Sequence, residues 1–257
     1  MPSTISPLQA FRDLLSSEDL ECIPEGVDGD EYLMRFLRFK SDPRRAYKTL
    51  VKYHEFRKND KGLFDKMRPS TMKNLLDSKI VTKLPENDAQ GRPVVLINCK
   101  QWDEKVYSAE DLILMLMMIL EEIIRTQVSS ISVIIDWEGY GFSHYRQLSY
   151  RNIVRSLAFG KGSFPISYMG IHQVNQSKMF SVVSKVLFSF FSEKLKQRMY
   201  IHGNDRESLA KYIPFSSLPV YYGGSSEGDV DTTFMDEMYK NEKYYETLVA
   251  FDKKPIK

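Results

Sequence analysis

The chain has 257 residues, 42% of them hydrophobic and 27% charged, the composition of a globular protein with enough mass for one large core or a core plus a smaller domain. A formal net charge of +2 supplies no bulk field for nucleic acid, so an anionic partner has to be recruited by a local basic patch. The two cysteines, Cys22 and Cys99, make neither a disulfide framework nor a metal-ligand spacing, which fits a reducing compartment.

The first residues, MPSTISPLQAFRDLL, lack the basic start and long apolar core of a signal peptide. The longest purely apolar run, Leu112 to Leu120, stops at Glu121 and Glu122, short of the roughly 20 residues a membrane helix needs. A soluble protein is expected.

Residues 1–75 read as short helices. Leu8, Phe11, Leu14 and Leu15 repeat at helical spacing, as do Leu33, Phe36 and Leu37. Asp42-Pro43 marks a break, with Pro43 suited to the first turn of a helix running through Ala46, Leu50, Tyr53 and His54. Its basic flank of Arg44, Arg45, Lys48, Lys52, Arg57 and Lys58 reads as a solvated face. From about residue 80 apolar strands alternate with helical stretches. Strands are predicted at Ile80 to Lys83, Val94 to Asn98, Ile131 to Asp136, Ser167 to Val174 and Met199 to His202, with helices at 109–128, 145–159, 177–198 and 205–212. This order predicts an α/β domain with a largely parallel sheet. The last 30 or so residues, acidic and then ending KKPIK, read as a helix-capped tail.

Catalytic signatures are poor. No phosphate-binding G-x-x-x-x-G-K-[ST] and no G-x-G-x-x-G follows a strand. Gly141-Phe142-Ser143-His144-Tyr145 approximates a nucleophile elbow but carries Tyr where the sharp turn needs glycine, and adjacent Ser143 and His144 side chains diverge. Asp136, Glu138, His144, His172 and His202 can be assembled into a metal site only by ignoring their spacing; structural hydrogen bonding is the simpler expectation. No enzyme, cofactor or metal is predicted.

The apolar segments say more. Residues 112–120 are apolar all round, which calls for burial on most sides, and their three methionines give an adaptable surface. On a helical wheel of 178–192, Met179, Phe180, Val182, Val183, Val186, Leu187, Phe190 and Phe191 share one half, and Phe188 falls among Ser181 and Lys185 in the other. An exposed Phe188 suits an interfacial helix, whereas a neighbouring loop covering it makes it ordinary packing. Lys194, Lys196 and Arg198 follow as a basic cluster.

Residues 31–57, EYLMRFLRFKSDPRRAYKTLVKYHEFR, resemble the helical N-terminal region of CRAL-TRIO proteins. GRPVV, WDEKVYSAEDL, IIDWEGYGFSH, FP with GIHQVN, FSEKLKQRMYIHG and LPVYYGG then occur in that family's order and spacing over 91–224, closest to its tocopherol- and retinaldehyde-binding branch. The resemblance implies a helical N-terminal region over 1–75, a lipid-binding domain over 76–224 and a tail over 225–257. The fold it implies is an α/β sandwich with a mixed, mainly parallel sheet, an apolar pocket and a helical lid. Carried over by position, the pocket walls are Ile113, Leu116, Leu120, Val133, Ile135, Phe142, Leu148, Phe159, Phe164 and Ile171, and the lid contributes Met179, Phe180, Val183 and Leu187. Phosphoinositide or membrane contact falls to Lys194, Arg198, Lys161 and Phe188. Lys194 and Arg198, four apart, are expected to share a helix face.

Departures from the family pattern bear on specificity. Leu116 and Leu120 stand where tocopherol-binding relatives carry two serines, which dries the pocket, and Ser167 and Met169 replace two basic positions of the phosphate patch. Phe188-Ser189-Phe190 replaces Lys-Pro-Phe on the lid. The resemblance implies intracellular binding and transfer of one hydrophobic small molecule, tocopherol- or retinoid-like, by a cytoplasmic monomer that docks peripherally on anionic, phosphoinositide-bearing membranes. The alternative is a phosphoinositide-sensing adaptor whose bound lipid is structural.

Overall fold

Side-chain caps set the first helices of the chain, whose computed structural model describes residues 5–18, 23–126, 128–147, 149–160, 162–176, 180, 184, 188–189, 191–226 and 228–253, with backbone alone at 61 and 157–160. Ser6 accepts the Gln9 N–H at the start of α1 (Pro7–Ser17), and Asp28 accepts those of Asp30 and Glu31 at the start of α2 (Gly29–Phe39). Asp42 accepts the Arg45 N–H at 2.8 Å and Pro43 occupies the first turn of α3 (Pro43–Asn59). These three helices pack on one another through Phe11, Leu33, Phe36, Leu50 and Tyr53, all buried. Short helices α4 (Lys61–Phe64) and α5 (Lys73–Asp77) lead into the sheet.

The five strands, β1 (Val81–Asn87), β2 (Pro93–Asn98), β3 (Ser130–Asp136), β4 (Ser167–Val174) and β5 (Met199–Gly203), lie side by side in chain order. β1 is antiparallel to β2 and the other pairs are parallel. The predicted strand positions hold, except that β1 runs on to Asn87 through Pro85. It is an edge strand with a register shift between Lys83 and Asn87, where a proline without an N–H is tolerated.

Because side chains alternate along a strand, the sheet has two apolar faces. Val95, Ile97, Val133 and Ile135 join the large core, while Val94, Leu96, Ile134 and Val174 meet Leu209, Ile213, Leu218 and Tyr222 in a smaller one. On the large side lies α6 (Ala109–Arg125), opened by a capping box in which Ser108 and Asp111 satisfy each other's N–H groups. It touches β1, α2, α4, α5 and α8 (Tyr150–Gly160), which is why its sequence is apolar all round. The helix predicted over 145–159 divides into a single turn, α7 (Phe142–Tyr145), and α8, whose Asn152 N–H is accepted by the Ser149 hydroxyl. Of the predicted 177–198 helix, positions 177–179, 181–183, 185–187 and 190 lie outside the described residues; its last part is the short α9 (Glu193–Lys196). Beyond β5 come α10 (Arg206–Ala210), α11 (Thr232–Lys240) and α12 (Glu242–Asp252).

The C-terminal segment is more than a capped tail. Tyr245, Leu248, Val249 and Phe251 of α12 are buried, and Asp252 receives three hydrogen bonds from the buried Arg57 guanidinium, the shortest 2.7 Å. Glu121 and Glu122, which end the apolar run of α6, are both fully buried. Glu121 accepts from Tyr53 and Tyr244 at 2.6 Å and from Arg35 at 3.2 Å, while Glu122 accepts from Arg125 at 2.6 Å and Tyr245 at 2.9 Å. The two carboxylates thus tie the pocket helix to α2, α3 and α12.

Gly224 closes the turn that caps the smaller core. A Cβ there would lie 1.9 Å from the Leu218 carbonyl oxygen and 2.5 Å from that of Phe215, and neither backbone atom can move without breaking its bond to Ser226 or Ser225. Gly224→Ala is therefore expected to cost about 3 kcal/mol or more, read as a lower urea midpoint with an unchanged m value.

Candidate functional site

The large face of the sheet holds an apolar cavity of about 180 Å³ between the strands, α6 and α8. Val81, Ile97 and Ile135 rise from the sheet, Leu112, Ile113 and Leu116 descend from α6, and Cys99, Trp102, Trp137 and Tyr140 close the end beyond β2 and β3. None of the described residues lining it is charged. Burial pushes the Cys99 thiol far above its ordinary range, so it is protonated and behaves as a small apolar group.

Of the wall residues carried over by resemblance, Ile113, Leu116 and Ile135 line this cavity. Leu120, Val133 and Ile171 pack into the surrounding core without reaching it. Two need correction. Phe142 is 65% exposed, because the glycine-initiated turn of α7 points it outward against Tyr145. Phe164 is fully buried but faces α3, edge-on to Tyr53 at 5.4 Å and Phe56 at 6.3 Å, and so joins the N-terminal helices to the sheet layer. Leu148, Met179, Val183, Leu187 and Lys161 lie outside the described residues, as does the side chain of Phe159.

Phe180 is buried edge-on against the cavity-lining Trp137 at 5.3 Å. Phe188 continues this aromatic chain, 6.5 Å from Phe180 and 5.9 Å from Phe191. It is half-buried against the core, as in the second of the two readings of this position, with aromatic side chains as its neighbours.

A second recess, about 320 Å³, opens between α3, the start of β4 and α9. Lys40, Arg45, Lys48, Lys52, Lys194 and Arg198 line it, with no carboxylate among the described lining residues. Lys194 and Arg198 do come to one place, although Arg198 has left the helix and anchors itself by donating to the Tyr168 carbonyl at 2.7 Å. The solvated face expected on α3 is not uniform. Arg45, Lys48 and Lys52 turn into the recess, Arg57 is buried on Asp252, and Lys58 is buried over the Phe251 ring. Helical spacing was the available signal, since Arg45, Lys48 and Lys52 recur at three and four residues. Lys40 has its ammonium pulled below the ordinary lysine value by burial and then by repulsion from Arg45, Lys194 and Arg198. Tyr168, also at the recess, has a buried hydroxyl with no partner among the described residues. Six cations without a carboxylate among the described lining residues give the recess a concentrated positive charge.

The residues considered for catalysis are spent elsewhere. His144 accepts the Gly141 N–H at Nδ1 and donates from Nε2 to the Trp102 carbonyl at 2.9 Å, so it holds the turn and has no nitrogen left for Ser143. Asp136 accepts from the Glu138 N–H, Asn175 and Tyr222, and Glu138 pairs with Lys100 at the surface. On the other face of the sheet, His172 and His202 share a 2.9 Å hydrogen bond, and burial first and His202 second push His172 down to about 3, leaving it neutral. No group of three potential metal ligands comes together among the described residues. No helix among them is long and apolar enough to cross a membrane.

Comparison with known proteins agrees with this architecture. Residues 77–224 match the model of the CRAL/TRIO domain. The chain is 33% identical over 232 residues to the alpha-tocopherol transfer protein-like proteins of Homo sapiens and Pongo abelii, covering 88% of this chain. It spans only 66% of the length of those relatives. Clavesin-2 of Mus musculus is 28% identical over 227 residues, covering 84% of this chain and 69% of its own. The crystal structure of Sfh5 superimposes with a TM-score of 0.55 at 13% identity, over 95% of this chain and 99% of that one, which speaks to fold alone. With a family model matched over residues 77–224, more than half its length, this chain belongs to the CRAL-TRIO family.

Proposed function

We propose that this protein binds one hydrophobic small molecule in the cavity beneath α6 and exchanges it at a membrane whose anionic headgroups enter the basic recess. The observation that carries the reading is the pairing of the two sites in one fold: an uncharged cavity, and a recess holding six cations in a chain of net charge +2. Apolar burial at roughly 25 cal/mol per Å² drives loading. The cavity is close in size to the ~150 Å³ that accommodates a benzene ring, so a whole lipid has to displace wall residues as it enters. The printed name of the alpha-tocopherol transfer protein-like relatives supports a tocopherol-like cargo, and retinoid-like cargo is equally compatible with an uncharged cavity. Phosphoinositides match the clustered charge of the recess.

Transfer of a fluorescent tocopherol analogue from loaded protein to acceptor vesicles tests this. Near-stoichiometric loading is expected, with faster transfer to phosphoinositide-containing vesicles than to neutral phosphatidylcholine ones. A protein that binds the anionic vesicles yet takes up or releases no lipid overturns transfer and favours a phosphoinositide-sensing adaptor.

A further inference from the structure

Among the described residues lining the apolar cavity, every nitrogen- or oxygen-bearing side chain has a hydrogen-bond partner except one. Trp102 Nε1 donates to the Tyr107 carbonyl at 2.8 Å and Trp137 Nε1 to Gln173 at 2.5 Å. Asn152 donates to the Gln147 carbonyl and accepts from Arg155, both at 3.2 Å, and Ser156 donates to the Asn152 carbonyl at 2.9 Å. Tyr140 is 5% exposed, and its hydroxyl has no partner among the described residues. Its ring is fixed at 4.9 Å from Trp137, 5.3 Å from His144 and 6.2 Å from Trp102, so the hydroxyl cannot swing out to water. Burial raises the phenol well above its ordinary range, which keeps it neutral and able both to donate and to accept. Buried polar groups are nearly always satisfied, so an orphaned hydroxyl on a cavity wall points to a partner that arrives with the ligand.

We propose that Tyr140 reads an oxygen on the cargo: the ligand seated beneath α6 carries a neutral hydroxyl, ether or carbonyl oxygen at its buried end, and that oxygen pairs with the Tyr140 hydroxyl. The inference rests on the cargo reading above and narrows it. Because no cation lines the cavity among the described residues, a carboxylate or phosphate at that end would be buried without compensation. Leu116 supplies no competing hydroxyl, which leaves Tyr140 as the polar determinant of specificity.

Matched probes test it on the full chain by isothermal titration: 4-octylphenol, 4-octylanisole, octylbenzene and 4-octylbenzoate. The native protein should prefer the phenol and the anisole to octylbenzene by about tenfold and bind the benzoate more weakly than either. Tyr140→Phe, which removes only the hydroxyl, should abolish that preference while leaving octylbenzene affinity unchanged. The empty variant should melt no lower than the native protein, since no hydrogen bond is lost. A preference that survives Tyr140→Phe, or its absence in the native protein, overturns the assignment of Tyr140 while leaving the cargo reading intact. Tight binding of the benzoate overturns the requirement for a neutral oxygen. Failure of the native protein to bind any of the four overturns the cargo reading, and this inference with it.

Discussion

Glu121→Ala should lower the unfolding free energy by roughly 3–5 kcal/mol, the range for removing one partner of a buried, hydrogen-bonded charge pair. The substitution leaves the Arg35 guanidinium and the Tyr53 and Tyr244 hydroxyls buried without their common acceptor. It also opens a gap at the junction of α6 with α2, α3 and α12. At about 2–4 °C per kcal/mol for a chain of this size, the melting temperature should fall by roughly 6–20 °C. Glu121→Gln, which keeps the size and one acceptor oxygen, should cost less. A loss below about 1 kcal/mol in Glu121→Ala, as for an exposed pair, would show that the network adds nothing net to stability.

The same network gives stability a defined pH dependence. Burial above all, and the neighbouring carboxylates after it, raise the phenols of Tyr244 and Tyr245 well above their ordinary value. The unfolded chain therefore loses these protons first, near the ordinary tyrosine value of about 10. Above that pH the folded state binds more protons than the unfolded one, so stability falls as pH rises. Urea midpoints should begin to drop above about pH 10, and Tyr245→Phe should blunt the drop.

Replacing Lys48, Lys52 and Lys194 together by alanine should weaken binding to phosphoinositide-containing vesicles by roughly 100-fold, at about 1 kcal/mol per basic residue near an anionic surface. Loading of the hydrophobic probe should be unaffected, since none of the three lines the apolar cavity. The difference between native and variant should shrink as salt is raised, because the recess is open to solvent and its charges are screened. Lys40 supplies an internal reporter. Its lowered value means that the unfolded state binds the proton more tightly, so burial of the charge, and after it the repulsion, costs stability at neutral pH and is relieved as pH climbs towards the ordinary lysine value. An anion in the recess reverses that sign. Soluble inositol phosphates should accordingly raise the melting temperature at neutral pH and low salt, and do so less in the triple variant. Vesicle affinity that survives the triple substitution would remove the recess from the docking mechanism.

Several features were legible in the sequence because they depend on local periodicity. Alternating apolar residues located the five strands to within a residue or so, apart from the longer β1, and Asp42-Pro43 marked a helix start through a proline suited to the first turn. Ordered motifs from Gly91 to Gly224 disclosed the family, and the all-round apolarity of 112–120 called for the burial on most sides that α6 shows.

Tertiary structure alone decided the rest. Whether Arg45 and Lys52 face water or an anion recess depends on where Lys194 and Arg198 are placed from more than 140 positions away, which no local pattern records. Phe142 and Phe164 have equal hydrophobicity, yet a turn geometry exposes one and the packing of α3 buries the other. In the sequence Glu121 and Glu122 only interrupt an apolar run, but tyrosines and an arginine drawn from α2, α3 and α12 make their burial tolerable. The lone hydroxyl of Tyr140 became visible only once every neighbour's hydrogen bonds were in place. Sequence by itself determines periodicity, caps and composition, because these act between residues a few positions apart. The charge of a recess and the satisfaction of a buried group are sums over residues distant in the chain, and only the folded structure brings them together.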